Sequence, residues 1–564
     1  MNGARAVLEA LEREGVDIVF GYPGGAIMPL YDALFQHPVR HALCRHEAAA
    51  AFAASGYART SGRVGVCCAT SGPGATNLVT ALLDAMMDSV PVVAITGQVR
   101  SELMGTDGFQ EADVCAITQP ITKRNFLIAD ASEIASTIAE AFALARSGRP
   151  GPVLVDIPND VLKAKLGEDP IVALVADGPR AVEPQLSGAK PRPSADSVRE
   201  AVARLRAARR PVAIIGGGIR AGGVEQYRTF ASMLGIPHAA TIMALGAATP
   251  GDPAFLGMLG MHGLKAANKA VQRADLLLAL GMRFDDRVTG KPDRFAREAT
   301  VIHADIDATE FNKIIPADVT LHGDLSYTLE ALIDELKRGH VPRFDDWAME
   351  ARLLGGALPS DRVAERVLSA TDALDRLFEV LPPDAIVTTD VGQHQMWTAQ
   401  RARPLAPRKF ATSAGLGAMG FGFPAAIGAA FANPSVPVYA VVGDGGFQMC
   451  LPELATLRRY DVPVKIVLID NHNLGMVRQW QELFFSERYS ATNLADNPDF
   501  TAIARAYGIA AFSLSDPADA HRVLAEFVAA PGPALLHCAC HPTENVWPMI
   551  PAGMTVDDLM EARA

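Results

Sequence analysis

Two short segments of this 564-residue chain carry residue types suited to holding a cation against phosphate oxygens. The first, Gly443-Asp444-Gly445-Gly446, follows the apolar run 438–442; the second, Asp470-Asn471-His472-Asn473, follows the apolar run 464–469. Asp444 and Asn471 lie 27 positions apart, each just beyond such a run. With both runs as strands of a parallel sheet, the two side chains meet at its carboxyl edge, where open α/β sheets bind their ligands. Carboxylate and amide oxygens gathered there suit Mg²⁺, a hard cation that bridges protein oxygens to phosphate. The glycines let main-chain N–H groups approach a diphosphate at a helix start, where free amides and the helix dipole favour anions. Asp-Gly is also what a tight turn needs, so the first segment alone decides nothing. The second segment, at this spacing, selects the cation reading.

The elements that position these residues follow from hydrophobic patterning. Strand-like runs at 64–69, 92–96 and 153–157 alternate with helix-like segments up to about residue 162, the signature of a parallel sheet with crossover helices. Residues 166–193, rich in Pro, Gly and small side chains, read as a linker. A second α/β unit, 194–340, opens with the run 211–215 into Gly216-Gly217-Gly218 and continues through 275–280 and 301–306. A polar stretch, 341–372, reads as another linker, and a third unit, 373–564, carries runs at 385–389, 438–442, 464–469 and 534–538. The expected fold class is therefore α/β, with three doubly wound parallel-sheet domains at 1–165, 194–340 and 373–564, in keeping with about 150 residues per domain.

Composition narrows the function. With 51 Lys plus Arg against 63 Asp plus Glu, the net charge of −12 argues against a nucleic-acid protein. Hydrophobic residues at 49% and charged residues at 20% exclude a chain that is mainly disordered. The seven cysteines lack the paired spacing of a zinc site or a disulfide framework, and Cys538-Ala539-Cys540 reads as an ordinary strand end. That usage fits a reducing cytoplasm. No run of about 18 apolar residues occurs, so no membrane span is expected. The amphipathic, acid-bearing N-terminus does not read as a signal or transit peptide.

Together the two chemistry-bearing segments resemble the diphosphate motif of thiamine diphosphate enzymes. In that family Asp444, Asn471 and the main-chain oxygen of Asn473 would complete a magnesium site, with Gly445 and Gly446 beside the diphosphate. The cofactor also needs a carboxyl group, distant in sequence, to relay a proton to its aminopyrimidine, and burial is what tunes a carboxyl for such work. Glu47, in Arg45-His46-Glu47 at the start of an Ala-rich helix, is the candidate. Taken alone, it reads as a solvated acid at a helix start.

Longer matches extend the resemblance over nearly the whole chain, to the catalytic subunits of the acetohydroxyacid synthase (acetolactate synthase) family. They include Gly21-Tyr-Pro-Gly-Gly-Ala26, Thr70-Ser-Gly-Pro-Gly-Ala-Thr-Asn77, Gly105-Thr-Asp-Gly-Phe-Gln-Glu-Ala-Asp113 and Gly260-Met-His-Gly263. Arg283-Phe-Asp-Asp-Arg-Val-Thr-Gly290, Gly415-Leu-Gly-Ala-Met-Gly420, Leu474-Gly-Met-Val-Arg-Gln-Trp480 and Trp547-Pro-Met-Ile-Pro-Ala-Gly553 continue it.

Carried over residue by residue, the resemblance implies that Gly417 accepts a hydrogen bond from the cofactor's amino group. Met419, unbranched and polarizable, would wedge between its two rings. Gly25 and Gln110 would border the reacting carbon, and Gln393, His394 and Met476 would lie near the diphosphate and thiazolium. Phe109, Arg287 and Trp480 would contact substrate: Arg287 by gripping the acceptor's carboxylate with two hydrogen bonds, Trp480 by lying against its alkyl group. A flavin or structural salt bridge is the alternative use of Arg287. The implied FAD would engage Gly216, Gly217, Gly218, Met261, His262, Arg283, Asp285, Val288, Asp305, Glu310 and Asp324. Three glycines after a strand more often mark a plain turn, so that assignment draws its weight from the other positions. One departure is Asn159, where the family usually has Lys; losing that ammonium would weaken the hold on anionic ligands.

The implied activity is decarboxylation of pyruvate and transfer of the two-carbon unit to pyruvate or 2-ketobutyrate, in branched-chain amino acid biosynthesis. The products would be 2-acetolactate and 2-aceto-2-hydroxybutyrate. The implied assembly is a homodimer or homotetramer whose site lies between two chains, with a regulatory small subunit possible. A pyruvate oxidase-like flavin oxidoreductase is the alternative. A non-catalytic relative would have lost Glu47 or Asp444, and both are present.

Overall fold

Three six-stranded sheets of parallel strands follow one another along the chain in the computed structural model, which describes residues 1–166, 190–356, 358, 367–402 and 405–562. The first sheet runs Arg40–Leu43, Ile18–Gly21, Gly65–Ala69, Val92–Gln98, Val153–Pro158, Arg124–Leu127. The second runs Val319–His322, Thr300–Asp305, Leu276–Leu280, Pro211–Ile215, His238–Ala240, Phe255–Met258. The third runs Phe410–Thr412, Ile386–Thr389, Val438–Gly443, Val464–Asp470, Ala534–Ala539, Ala510–Leu514. Helices cover both faces, so the inner strands are largely buried; every residue of Val464–Asp470 is buried.

The strand-like runs found by patterning are these inner strands. None of the six edge strands is among them: Arg124–Leu127 is exposed at both ends, and Phe410–Thr412, though buried, has only three residues. The inner strands Ile18–Gly21 and His238–Ala240 were too short to stand out as well. Most of the 166–193 linker, residues 167–189, lies outside the described residues. The polar stretch 341–372 is more than a connection. It holds the helix Asp345–Leu353, whose Trp347, Ala348 and Ala351 are buried, with the Trp347 indole N–H donating to the Pro211 carbonyl at 3.1 Å.

The first and third units meet along a seam of two helices, Glu47–Ser61 and Gly422–Ala432. Both are rich in alanine, and glycines bring their backbones together. A Cβ on Gly56 would collide with the carbonyl oxygen of Ala425, and one on Gly428 with that of Ala53. A further buried cluster joins Ile215 and Phe230 of the central unit to Trp397 and Phe410 of the third. Among the described residues no helix is long and apolar enough to cross a membrane, and all seven cysteines are free thiols.

Candidate functional site

At the carboxyl edge of the third sheet, strand Val438–Gly443 delivers Asp444 and its neighbour Val464–Asp470 delivers Asn471, with Gly443 paired to Ile469. Both side chains are buried, Asp444 to 2% exposure and Asn471 to 5%. The Asn497 amide donates to Asp444 at 2.9 Å and to Asp470 at 3.0 Å, and His537 Nε2 lies 2.8 Å from Asp470. Burial first, and Asp470 beside it second, push the Asp444 carboxyl up to about 7. Asp470 is lowered despite its burial, by hydrogen bonds from His537 and Asp444. A buried carboxylate beside the Asn471 amide is a donor set that suits a divalent cation.

Asn471 donates from Nδ2 to Gln393 Oε1 at 3.1 Å, and Gln393 in turn donates to Gln479 and to the Glu544 carbonyl, each at 2.9 Å. Gly445 and Gly446 open a helix, as expected, but packing also demands them. A Cβ on Gly446 would lie 2.8 Å from the Asp390 carboxylate, and one on Gly445 would lie 2.6 Å from Leu474 and 3.5 Å from the Met419 methyl. The His394 ring is buried with Nε2 lacking a hydrogen-bond partner among the described residues, and burial pushes its pKa down to about 3. Gly417 turns at φ +69° with only Val391 near its Cβ position, so its wall is open. Asp390, at the end of strand Ile386–Thr389, accepts from the N–H groups of Gly420 and Gly422 at 3.0 and 3.2 Å.

Many of these residues line one cavity of about 1410 Å³ that also reaches the central domain. Gln393, His394, Met476, Gly417, Met419, Gly445, Gly446, Asp444, Asn471 and Asn473 stand at one end. Gly217, Gly218, Met261, His262, Arg283, Asp285, Val288, Asp305, Glu310 and Asp324 of the central domain also line its wall, as do Arg287 and Trp480. Gly216 is not on that wall. A Cβ there would strike the Gly281 carbonyl, so this glycine serves strand packing. Two of the acids already have partners: Glu310 accepts from Arg149 at 2.9 Å, and Asp324 pairs with Lys190 at 2.8 Å. Arg287 is exposed and its contact with Asp286 is loose, 3.7 Å, so its guanidinium is not committed to a structural pair.

Glu47, Gly25, Gln110 and Phe109 do not line this cavity. Glu47, Gly25 and Gln110 cluster around residues 70–77 of the first domain. Glu47 is half-buried and accepts from the Asn77 amide at 2.9 Å, so within a single chain it lacks the apolar setting expected for a proton relay. Gln110, at φ +59°, packs on Gly72, where a Cβ would lie 2.7 Å from its carbonyl oxygen. Thr70 Oγ1 accepts from Ala26 N–H at 3.2 Å beside Gly25. Phe109 is 88% exposed, on a loop folded by Glu111, whose carboxylate accepts from the N–H groups of Gly105 and Gly108. Asn159 is buried and its amide donates to the Ala26 carbonyl at 2.7 Å, so the residue at the departure braces the Gly25 loop. Patterning missed Asp390, Asp470, Asn497, Gln479 and His537, whose partners are far away in sequence; only the Asp-Asn pair ending strand Val464–Asp470 marked one of them.

The chain matches three family models. They are the N-terminal TPP binding domain of thiamine pyrophosphate enzymes over residues 1–117, their central domain over 198–332 and their C-terminal TPP binding domain over 390–538. It is 48% identical over 568 residues to the acetolactate synthase isozyme 2 large subunit of Escherichia coli (strain K12), covering 100% of both chains. It is 48% identical over 577 residues to an acetolactate synthase of Mycobacterium bovis, covering 100% of this chain and 92% of that one. With the acetolactate synthase large subunit of Corynebacterium glutamicum it shares 44% over 578 residues, covering 100% and 90%.

Proposed function

Because this chain belongs to the acetolactate synthase family of thiamine pyrophosphate enzymes, we propose that it decarboxylates pyruvate and joins the two-carbon unit to pyruvate or 2-ketobutyrate. Thiamine pyrophosphate-dependent acetolactate synthesis is its reaction, and a flavin oxidase of the pyruvate oxidase kind is not favoured, since the full-length relatives are acetolactate synthases. The observation that carries the reading is the single cavity shared by the Asp444–Asn471 floor, the Gly417 and Met419 loop, and the Arg287 and Trp480 wall.

The donor set fits a magnesium diphosphate. It offers a carboxylate and an amide oxygen at one sheet edge, main-chain N–H groups at Gly445 and Gly446, and a buried His394 nitrogen without a partner among the described residues. When bound, thiamine diphosphate supplies a carbon nucleophile and a sink for the electron pair that carbon dioxide leaves behind. Asp444, Asn471 and the Asn473 carbonyl hold Mg²⁺. Met419 would prop the cofactor's two rings, and the Gly417 carbonyl would accept from its amino group. Arg287 grips the acceptor's carboxylate and so aims its carbonyl, while Trp480 bounds its alkyl group.

Glu47 belongs to the half-site away from this cavity, so a second copy of the chain supplies it, with Gly25 and Gln110 bordering the reacting carbon and Phe109 contacting substrate. There the Glu47 carboxyl holds the proton that a ring nitrogen requires. Apolar side chains flank both halves: Phe109 at 88% exposure on one, Met449 at 64% and Val477 at 50% on the other. Such exposure supports burial against another copy. FAD fits the central-domain end of the cavity, beside the tight Gly217-Gly218 turn and Arg283, and a condensation without net electron transfer leaves its redox chemistry unused. The assembly is a homodimer or homotetramer in the cytoplasm, open to a regulatory small subunit.

Mass spectrometry of products from pyruvate plus 2-ketobutyrate, with and without Mg²⁺ and thiamine diphosphate, tests the reading. The expected products are 2-acetolactate and 2-aceto-2-hydroxybutyrate, dependent on both additions and without oxygen uptake. Oxygen consumption with no condensed product would overturn it.

A further inference from the structure

The loop 413–420 carries Gly417 and Met419, yet many of its anchors come from the N-terminal domain. Asp88 accepts from Ala414 N–H at 2.9 Å and from Gly415 N–H at 2.7 Å. The Ser413 hydroxyl donates to Asp84 and accepts from Ala418 N–H at 2.8 Å, closing the loop on itself. Arg59, in the last turn of helix Glu47–Ser61, ties the two acids together, donating to Asp84 at 2.8 Å and Asp88 at 3.0 Å. Its other terminal nitrogen donates to the Thr412 carbonyl at 2.9 Å, and its guanidinium lies 4.9 Å from the centre of the Phe421 ring. The three side chains are at most 1% exposed.

Two carboxylates and one guanidinium out of water are a costly way to hold two domains together, and apolar residues of equal volume often stabilise a fold as well or better. What apolar residues cannot do is fix two loop N–H groups and the Ser413 hydroxyl along set directions. The loop also has no slack at that point: a Cβ on Gly415 would lie 2.9 Å from Met87 and 3.0 Å from Asp88.

We propose that Asp88, with Arg59 and Asp84, is a positioning residue for the ring half of the cofactor. From the N-terminal domain it sets where Gly417 and Met419 stand relative to the Asp444–Asn471 floor of the same chain. The proposal rests on the thiamine diphosphate reading of the cavity. It separates two functions within that cavity: the floor holds the diphosphate, and the Asp88 cluster holds only what touches the rings.

Calorimetric titration of the full chain with magnesium thiamine diphosphate, and separately with magnesium pyrophosphate, tests this. Asp88→Asn puts an NH₂ group where every neighbour is a donor, and Ser413→Ala deletes the link from Asp84 to Ala418. Both variants should bind thiamine diphosphate about tenfold more weakly or worse, and pyrophosphate as the parent does. Asp444→Ala should weaken both ligands. Asp88→Asn binding both like the parent, or losing both in parallel as a general loosening would cause, overturns the proposal. Should Asp88→Asn fail to fold, Ser413→Ala, which removes a single oxygen, decides between the same outcomes. A parent that binds neither ligand, or an Asp444→Ala chain that binds both normally, refutes the cavity reading itself.

Discussion

Adding one carbon at Gly428 should pry the first and third domains of the chain apart. The new Cβ would overlap the Ala53 carbonyl oxygen and stand 2.6 Å from its carbon and 2.9 Å from Tyr57 N. These are main-chain atoms of a helix and cannot rotate aside. The two helices must separate by about 1.5–2 Å to regain ordinary contact. Alanine is favoured over glycine inside a helix by about 1 kcal/mol, which opposes the effect. Overpacking costs about 1–3 kcal/mol, and the wider gap forfeits dispersion along the alanine seam at about 0.1–0.2 kcal/mol per atom pair. The balance for Gly428→Ala is a loss of about 1–4 kcal/mol. Urea unfolding followed by circular dichroism measures it, with parent and variant at equal protein concentration because association adds to apparent stability. A variant as stable as the parent would show that helix propensity wins and that the seam is not close-packed.

Glu47→Gln should nearly abolish turnover with the fold intact, since an amide cannot pass the proton on; near-normal activity in a well-folded variant removes Glu47 from the chemistry. Trp480→Leu should reduce any preference for 2-ketobutyrate over pyruvate, and Arg287→Lys should depress addition to both acceptors, because a point charge cannot reproduce a bidentate grip. Competition assays with both keto acids read these effects; an unchanged product ratio in the first or unchanged condensation in the second moves acceptor recognition elsewhere. Burial pushes Asp156 up to about 6 from 3.8, against hydrogen bonds from Thr96 and Gln98. Its contribution to stability is therefore fully present below pH 3.8 and lost as the pH rises through about 6. Asp156→Asn should flatten the dependence of stability on pH in that window, and an unaltered slope would show that Asp156 does not titrate there.

The residues legible in the sequence were those tied to strands buried on both faces. Such strands read as unbroken apolar runs, so Asp444 and Asn471 could be placed at their ends. The edge strands carry no comparable run: Arg124–Leu127 is exposed at both ends and Phe410–Thr412 is three residues long. Asp88, Asp390 and Asn497 escaped notice for another reason. Each acts through partners brought close only by the tertiary fold, with 326 positions between Asp88 and Ala414, and no local spacing encodes such a pair. Gly216 and Asn159 have packing roles that no local spacing announces: a Cβ on the first would strike the Gly281 carbonyl, and the second donates to the Ala26 carbonyl.

The proposed placement of Glu47 and Asp444 in different half-sites of one polypeptide has a genetic consequence. With each cavity completed by a second copy, a chain lacking Glu47 still offers a sound floor, and a chain lacking Asp444 still offers a sound Glu47. Mixed together, two dead variants should form assemblies in which one site carries both lesions and the other carries neither. Inactivating substitutions in this chain therefore fall into two complementation groups, one around residues 70–77 and one around the edge of the third sheet. A lesion at Gly428, which damages the rod between them, should complement neither.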